Sequence, residues 1–166
     1  ITQNILKQLS SCVARVEILT KSKLVCRDID LLKKIPHVAV GISLNTTDDL
    51  FRSKTEPYAA SVKDRIETLK ILHEAGISTY LFVAPFFPGL SDYRVLLEQA
   101  ARYIDYVCFE NLNLRGSYKA RVLSFISQEY PEKTPLFEKI YHQRDLFYWD
   151  DLEHNIRQYC DMLHIP

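Results

Sequence analysis

The sequence predicts an α/β fold of parallel strands joined by helical crossovers, and three observations predict it. Strand-like and helix-like segments alternate four times along the chain. The strand-like runs are almost continuously apolar, the pattern of parallel strands covered on both sides. They also begin roughly 20 to 40 residues apart, a fitting size for βα units. Residues 131–166 break the alternation and read as a helical tail packed on the strands, giving two parts, 1–130 and 131–166.

Each element follows from its residues. Ile1, Ile5, Leu6 and Leu9 suggest the end of an amphipathic helix, and Val13 to Leu19 is a first strand that finishes in Thr20-Lys21-Ser22. Asp28 is placed to cap a short helix through Leu31, Leu32 and Ile35, closed by Pro36. Val38 to Ile42 is the second strand, ending in Ser43-Leu44-Asn45. Ser61 and Asp64 stand at capping-box spacing before Ile66, Leu69, Leu72 and Ala75, and Gly76 supplies the stop. Thr79 to Val83 is the third strand and runs into Ala84-Pro85-Phe86-Phe87-Pro88-Gly89. Ser91 or Asp92 then opens a helix through Leu96, Leu97, Ala100 and Ile104. Tyr106 to Phe109 is the fourth strand, followed by Glu110-Asn111-Leu112-Asn113-Leu114-Arg115-Gly116. Ser117 starts a helix that Pro131 ends. In the tail, Thr134-Pro135 starts one helix and Asp150 caps another, with Phe147, Tyr148 and Trp149 between them as an anchor.

Composition narrows the classes of function. The 166 residues carry 21 Lys+Arg against 21 Asp+Glu, are 47% apolar and 25% charged, and so read as one ordinary packed domain with an appendage. Zero net charge speaks against holding nucleic acid through a general basic field, although a local patch is compatible with it. No apolar run approaches the roughly 18 residues of a membrane span and no signal-peptide pattern is read at the start, so a cytoplasmic protein is expected. Cys12, Cys26, Cys108 and Cys160 match no zinc or iron–sulfur spacing, and three of them, set among apolar residues, read as reduced, buried packing residues. The chain starts at Ile1 rather than Met and is expected to be part of something longer.

Polar or backbone-constraining residues collect where the strands end: Lys21 and Ser22, Ser43 and Asn45, Pro85 and Gly89, Glu110, Asn111 and Asn113. In βα folds these ends and the following loops converge on one surface, where ligands bind. Loops are polar in any case, so composition alone takes the matter no further.

The succession Ile18-Leu19-Thr20-Lys21-Ser22, Gly41-Ile42-Ser43-Leu44-Asn45, Glu56-Pro57 with Arg65, Gly76-Ile77, Ala84 to Asp92 and Glu110-Asn111-Leu112-Asn113 resembles the radical SAM superfamily. Within it, the likeness is to the spore photoproduct lyase-like, or DNA repair photolyase-like, branch, over residues 13 to 116. The resemblance implies a partial parallel TIM-type barrel, about four βα units of a six-unit core. In that core a CxxxCxxC loop after the first strand holds a [4Fe–4S] cluster. S-adenosylmethionine binds the cluster and is cleaved to a 5′-deoxyadenosyl radical. This sequence contains no CxxxCxxC. The strand ending in Thr20-Lys21-Ser22 would be the third of six, so the chain is expected to retain no cluster and to be inactive alone.

The resemblance also assigns residues. Lys21 matches the lysine facing the methionine carboxylate of S-adenosylmethionine, where an ammonium suits the anion; the alternative is an ordinary solvated lysine. Ser43 matches a ribose contact, and Asn45 assists it or shapes the following turn. Ala84 and Pro85 match the segment against the adenine, or form a rigid strand exit. Asn111 and Asn113 face adenine or substrate, or bond backbone in an irregular loop. Glu56 and Arg65 read as site residues or as a structural ion pair, the latter favoured, and Arg115 could meet a phosphate but alone is weak evidence for nucleic acid. The ten tyrosines read mainly as surface and interface anchors. Cys160 and His164 share a helix face near His154, but a zinc site lacks a fourth ligand, so they read as surface residues.

The expected partner is the missing N-terminal half of the barrel, and a homodimer through the exposed edge 13–19 is expected in its absence. Covering of that edge by the tail would serve the same end. The alternative function is a non-catalytic half-barrel that binds a ligand or a protein. A barrel aldolase or lyase would need a Schiff-base lysine or metal ligands, and Lys21 is the lone strand-end lysine.

Overall fold

The computed structural model describes residues 2–10, 13–143, 145 and 147–166. Strands β1 (Val16–Thr20), β2 (Val38–Ser43), β3 (Ser78–Phe86) and β4 (Tyr106–Asn111) form one parallel sheet in the order β1-β2-β3-β4. The helices are α1 (Thr2–Leu9), α2 (Ile29–Leu32), α3 (Asp49–Thr55), α4 (Val62–Glu74), α5 (Tyr93–Ala100), α6 (Tyr118–Glu129), α7 (Thr134–Tyr141) and α8 (Phe147–Met162). Sequential order with crossovers gives all strand C-termini the same end of the sheet, the arrangement of a partial barrel.

Strand alternation separates the two faces. Val40, Ile42, Leu44, Leu81 and Val83 join Leu69 and Leu72 of α4, Leu96 and Leu97 of α5, and Ile156 and Cys160 of α8 in the main core. The opposite face carries Leu19, Gly41, Ser43, Tyr80, Phe82, Tyr106 and Cys108. The described helices thus cover one face well. On the other, Leu19 is half-exposed and Phe82, Tyr106 and Cys108 are only partly buried. The apolar residues on this second face explain why the strands read as continuous apolar runs.

A second, aromatic cluster sits where the strands end. Phe51 of α3, Phe87 after β3, Leu112 and Leu114 after β4, Ile126 of α6 and Phe137 of α7 are all buried together. The Phe51 and Phe87 rings meet edge to face at 5.0 Å, and Tyr141 Oη donates to the Leu112 carbonyl at 2.6 Å. Burial pushes the Tyr141 hydroxyl far above its ordinary range, so it stays a donor. This cluster fixes three post-strand loops against one another and so gives the site a rigid frame.

Several local expectations change. Asp28 makes no capping bond; Ser22 caps a 3-10 turn over Lys23–Asp28, and Asp28 instead binds Arg27 and Gln3. The polar stretch after β2 contains α3, capped by Asp48 through Leu50 and Phe51, and only Phe51 of it is buried, so apolar periodicity gave no signal. Ser61 caps α4 as its spacing predicts, and Gly76 follows with φ +76. Asp92 caps α5, which frees Ser91 for another task. β3 runs past Val83 to Phe86 through a register shift, so Ala84 and Pro85 lie within the strand. Phe147 to Trp149 form the first turn of α8 rather than a linker, and Asp150 lies inside that helix. Cys160 is buried in the core, not on the surface.

A candidate ligand site at the strand ends

The site starts from the turn after β1. Thr20 Oγ1 accepts from the Ser22 amide at 3.1 Å, and the Lys21 carbonyl accepts from Ala60 N at 3.1 Å, so Lys21 is held from both sides. Its Nζ donates to Ser43 Oγ at 2.9 Å, across adjacent strand ends. Ser43 is 2% exposed while the Lys21 side chain is 40% exposed, so a buried hydroxyl and an accessible ammonium point at one place. Glu56 Oε1 lies 3.5 Å from Nζ. Behind it Arg65, 1% exposed, donates to Glu56 Oε2 at 2.7 Å, to the Ser43 carbonyl at 2.9 Å and to the Ala60 carbonyl at 2.9 Å. The Glu56–Arg65 ion pair read from the sequence is present, and it touches Lys21 as well.

Two residues past the end of β2, Asn45 is 1% exposed. Its Nδ2 donates to the Pro85 carbonyl at 3.2 Å, and its own carbonyl accepts from Ser91 Oγ at 2.6 Å. Ser91 Oγ in turn accepts from Phe87 N at 2.9 Å, tying the β2 and β3 ends together. Asn45 Oδ1 is buried without a hydrogen-bond partner. Such an acceptor is costly unless something donates to it.

The remaining sequence candidates lie elsewhere. Ala84 is buried in β3 beside Pro85, across a cis peptide bond. Asn111 is exposed on the helix-facing side of β4 and lines a groove of about 610 Å³ beneath α8, with Phe109, Trp149 and Ile156. Asn113 is also exposed, and its Oδ1 accepts from Arg115 Nε at 2.9 Å. The structure therefore joins Lys21 with Ser43, and Asn45 with Pro85. Residues that sequence reading passed over are Ser91, which it treated only as a cap, and the Tyr80–Tyr106 stack at 4.7 Å. Alternation puts both tyrosines on one face of their strands, but only the β3–β4 register brings the rings together.

Two cofactor groups can be tested against these residues. An accessible ammonium beside a serine hydroxyl, and a buried acceptor awaiting a donor, fit an amino-acid-bearing nucleoside such as S-adenosylmethionine. A [4Fe–4S] cluster does not fit: the sequence has no CxxxCxxC, and among the described residues no three His, Cys, Asp or Glu side chains gather for a metal. Burial pushes the thiols of Cys26, Cys108 and Cys160 up, the opposite of a ligand thiolate. Cys12 lies outside the described residues. Also among the described residues, no helix is long and apolar enough to cross a membrane.

These features define a class: a parallel βα partial barrel with an accessible lysine, a buried serine hydroxyl and an unpaired asparagine oxygen at its strand ends. The family model of the radical SAM superfamily matches residues 3–97, and the chain belongs to that superfamily. An uncharacterized protein of Methanocaldococcus jannaschii is 37% identical over 132 residues, covering 80% of this chain and 50% of that protein. A radical SAM Nalpha-GlyT isomerase of Pseudomonas phage M6 is 31% identical over 118 residues, covering 68% of this chain and 25% of that protein. Among solved structures, a spore photoproduct lyase mutant with bound AdoMet and dinucleoside spore photoproduct superposes with a TM-score of 0.68. It shares 20% identity and covers 98% of this chain and 52% of that one, a likeness of fold. The chain spans half or less of the length of these curated relatives.

Proposed function

We propose that this chain is the S-adenosylmethionine-holding part of a radical SAM enzyme, supplying about four of the six βα units. The observation that carries the reading is the Lys21 Nζ–Ser43 Oγ contact at 2.9 Å, which puts a cation and a hydroxyl at neighbouring strand ends. Lys21 binds the methionine carboxylate, and Ser43 exchanges its bond with Lys21 for one with the ribose. Ala84 and Pro85 lie along the adenine, whose position the Asn45–Pro85 bond fixes. Asn45 Oδ1 accepts a donor from the nucleoside. Asn113, exposed in the loop after β4, serves substrate contacts, whereas Asn111, at the end of β4, faces the groove beneath α8 and has no part in this site. When bound with a [4Fe–4S] cluster, S-adenosylmethionine supplies a 5′-deoxyadenosyl radical. The cluster's cysteines come from outside these 166 residues, so the chain alone catalyses nothing by this route. In the protein, the residues described here bind, orient and shield that cofactor.

The test uses the protein of the complete reading frame, reconstituted anaerobically with iron and sulfide. The spectrum of the reduced cluster changes on adding S-adenosylmethionine, and 5′-deoxyadenosine accumulates; Lys21→Met weakens the spectral change. A complete protein that takes up no cluster would leave the non-catalytic half-barrel as the function.

A further inference from the structure

Arg65 is a fully buried cation whose three guanidinium nitrogens each donate a hydrogen bond, and only Glu56 separates it from the accessible ammonium of Lys21. Glu56 stands between them, 2.7 Å from the guanidinium and 3.5 Å from Lys21 Nζ. We infer that Arg65 is a positioning residue that neutralises Glu56, so that the charge of Lys21 is left for a ligand carboxylate. The inference rests on the S-adenosylmethionine reading above and deepens it.

The distances decide the pairing. Glu56 gives its short, charge-assisted bond to Arg65 and only a longer contact to Lys21. Across the three side chains the charges are plus, minus and plus, so one positive charge remains, and Lys21, the most exposed of the three at 40%, presents it. Glu56 is 13% exposed and Arg65 1%, so neither offers itself to an external anion. The same guanidinium also holds the Ser43 and Ala60 carbonyls. Because Ala60 N bonds the Lys21 carbonyl, Arg65 fixes the backbone on both sides of the Lys21–Ser43 pair. Without Arg65, the half-buried Glu56 loses its partner and draws Lys21, 3.5 Å away, into a full ion pair. The local charge then falls to zero and a carboxylate loses its counter-ion.

The sign of each variant follows. The complete protein is titrated with S-adenosylmethionine and with 5′-methylthioadenosine, which keeps the adenosine and sulfur but lacks the amino-acid carboxylate. Arg65→Gln weakens S-adenosylmethionine by about tenfold or more, the scale of one charge-assisted bond, and weakens 5′-methylthioadenosine by clearly less, since only the Ser43 backbone contact bears on the nucleoside. Arg65→Gln with Glu56→Gln removes both charges and restores most of the lost affinity. Glu56→Gln alone, which keeps Arg65 in place through the amide oxygen, binds S-adenosylmethionine at least as tightly as the wild type. That arm holds even where Arg65→Gln fails to fold. A parallel loss of both ligands in these variants reduces the ion pair to a structural one and overturns the inference, as does unchanged binding in Arg65→Gln. A wild type that binds neither ligand removes the S-adenosylmethionine reading itself, and the inference with it.

Discussion

The ring of Tyr80 lies flat across Gly41: a Cβ built at Gly41 would stand 2.2 Å from Cζ and 2.7 Å from Oη of Tyr80. Tyr80 is one strand over from Gly41, directly opposite it in the β2–β3 register. Its ring is also stacked on Tyr106 of β4, with 9° between the planes. The glycine of the β2 run is thus there to let a neighbouring aromatic ring cover the sheet just before Ser43.

The ring has little freedom to give way, because Tyr106 backs it. Gly41→Ala is therefore expected to destabilise the protein by about 1–3 kcal/mol, the usual cost of overpacking. In a Tyr80→Ala background the same substitution costs little. Urea unfolding of the four members of this cycle measures the coupling. Equal costs of Gly41→Ala in both backgrounds would show that the ring is not what excludes the side chain.

A pH dependence follows from Asp28, which is 4% exposed. The Arg27 guanidinium holds its carboxyl below the usual range and Gln3 adds a hydrogen bond, against the opposing effect of burial. A carboxyl whose value is lower in the folded chain stabilises it fully above the unfolded value, and that contribution fades as the pH falls through the folded value. The stability difference between wild type and Asp28→Asn should be level between about pH 5 and 7 and shrink below about pH 4. Urea unfolding across that range reads it directly, and a difference that stays level to pH 3 would contradict it.

These cases show what was legible in the sequence. The four parallel strands were readable because each is an apolar run followed by a polar break, and α4 because Ser61, Asp64 and Gly76 mark its ends. α3 was not readable: its cap is a lone Asp48 and it buries one residue, so no period repeats. Capping chemistry also misled at Asp28, where a neighbouring arginine competes for the carboxylate that a helix start would use. At the site, family resemblance supplied Lys21 and Ser43, and no local pattern would have joined them, since residues 22 positions apart meet only through strand pairing. The orphaned acceptor of Asn45 lies beyond any sequence reading, because it depends on what the fold leaves unpaired.

β1 occupies one edge of the sheet, and among the described residues the tail lies at the other side, with α8 packed on α5 rather than over β1. The expected covering of the edge by the tail is therefore not what the fold does. We propose that in the complete protein the N-terminal half of the barrel pairs with this edge. The 166-residue chain made alone should then self-associate through it. Sedimentation equilibrium should find a concentration-dependent dimer. Leu19→Lys, which places a charge at a half-exposed position on β1, should weaken that dimer. A monomer at every concentration would count against pairing through the edge.

The last prediction concerns the unpaired oxygen of Asn45. The Nδ2 bond to Pro85 sets the orientation of the amide, and the Ser91 hydroxyl is already donating to the Asn45 backbone carbonyl, so it is not available to Oδ1. A nucleoside offers such donors in its ribose hydroxyls and exocyclic amine. One neutral hydrogen bond contributes about 0.5–1.5 kcal/mol, so Asn45→Ala should weaken ligand binding by roughly three- to tenfold. The loss should be the same for S-adenosylmethionine and 5′-methylthioadenosine, because the nucleoside is common to both, whereas Lys21 variants should affect the carboxylate-bearing ligand alone. Titration calorimetry with the two ligands separates the cases. If Asn45→Ala binds both as the wild type does, Oδ1 takes its donor from water and the nucleoside lies elsewhere on the strand ends.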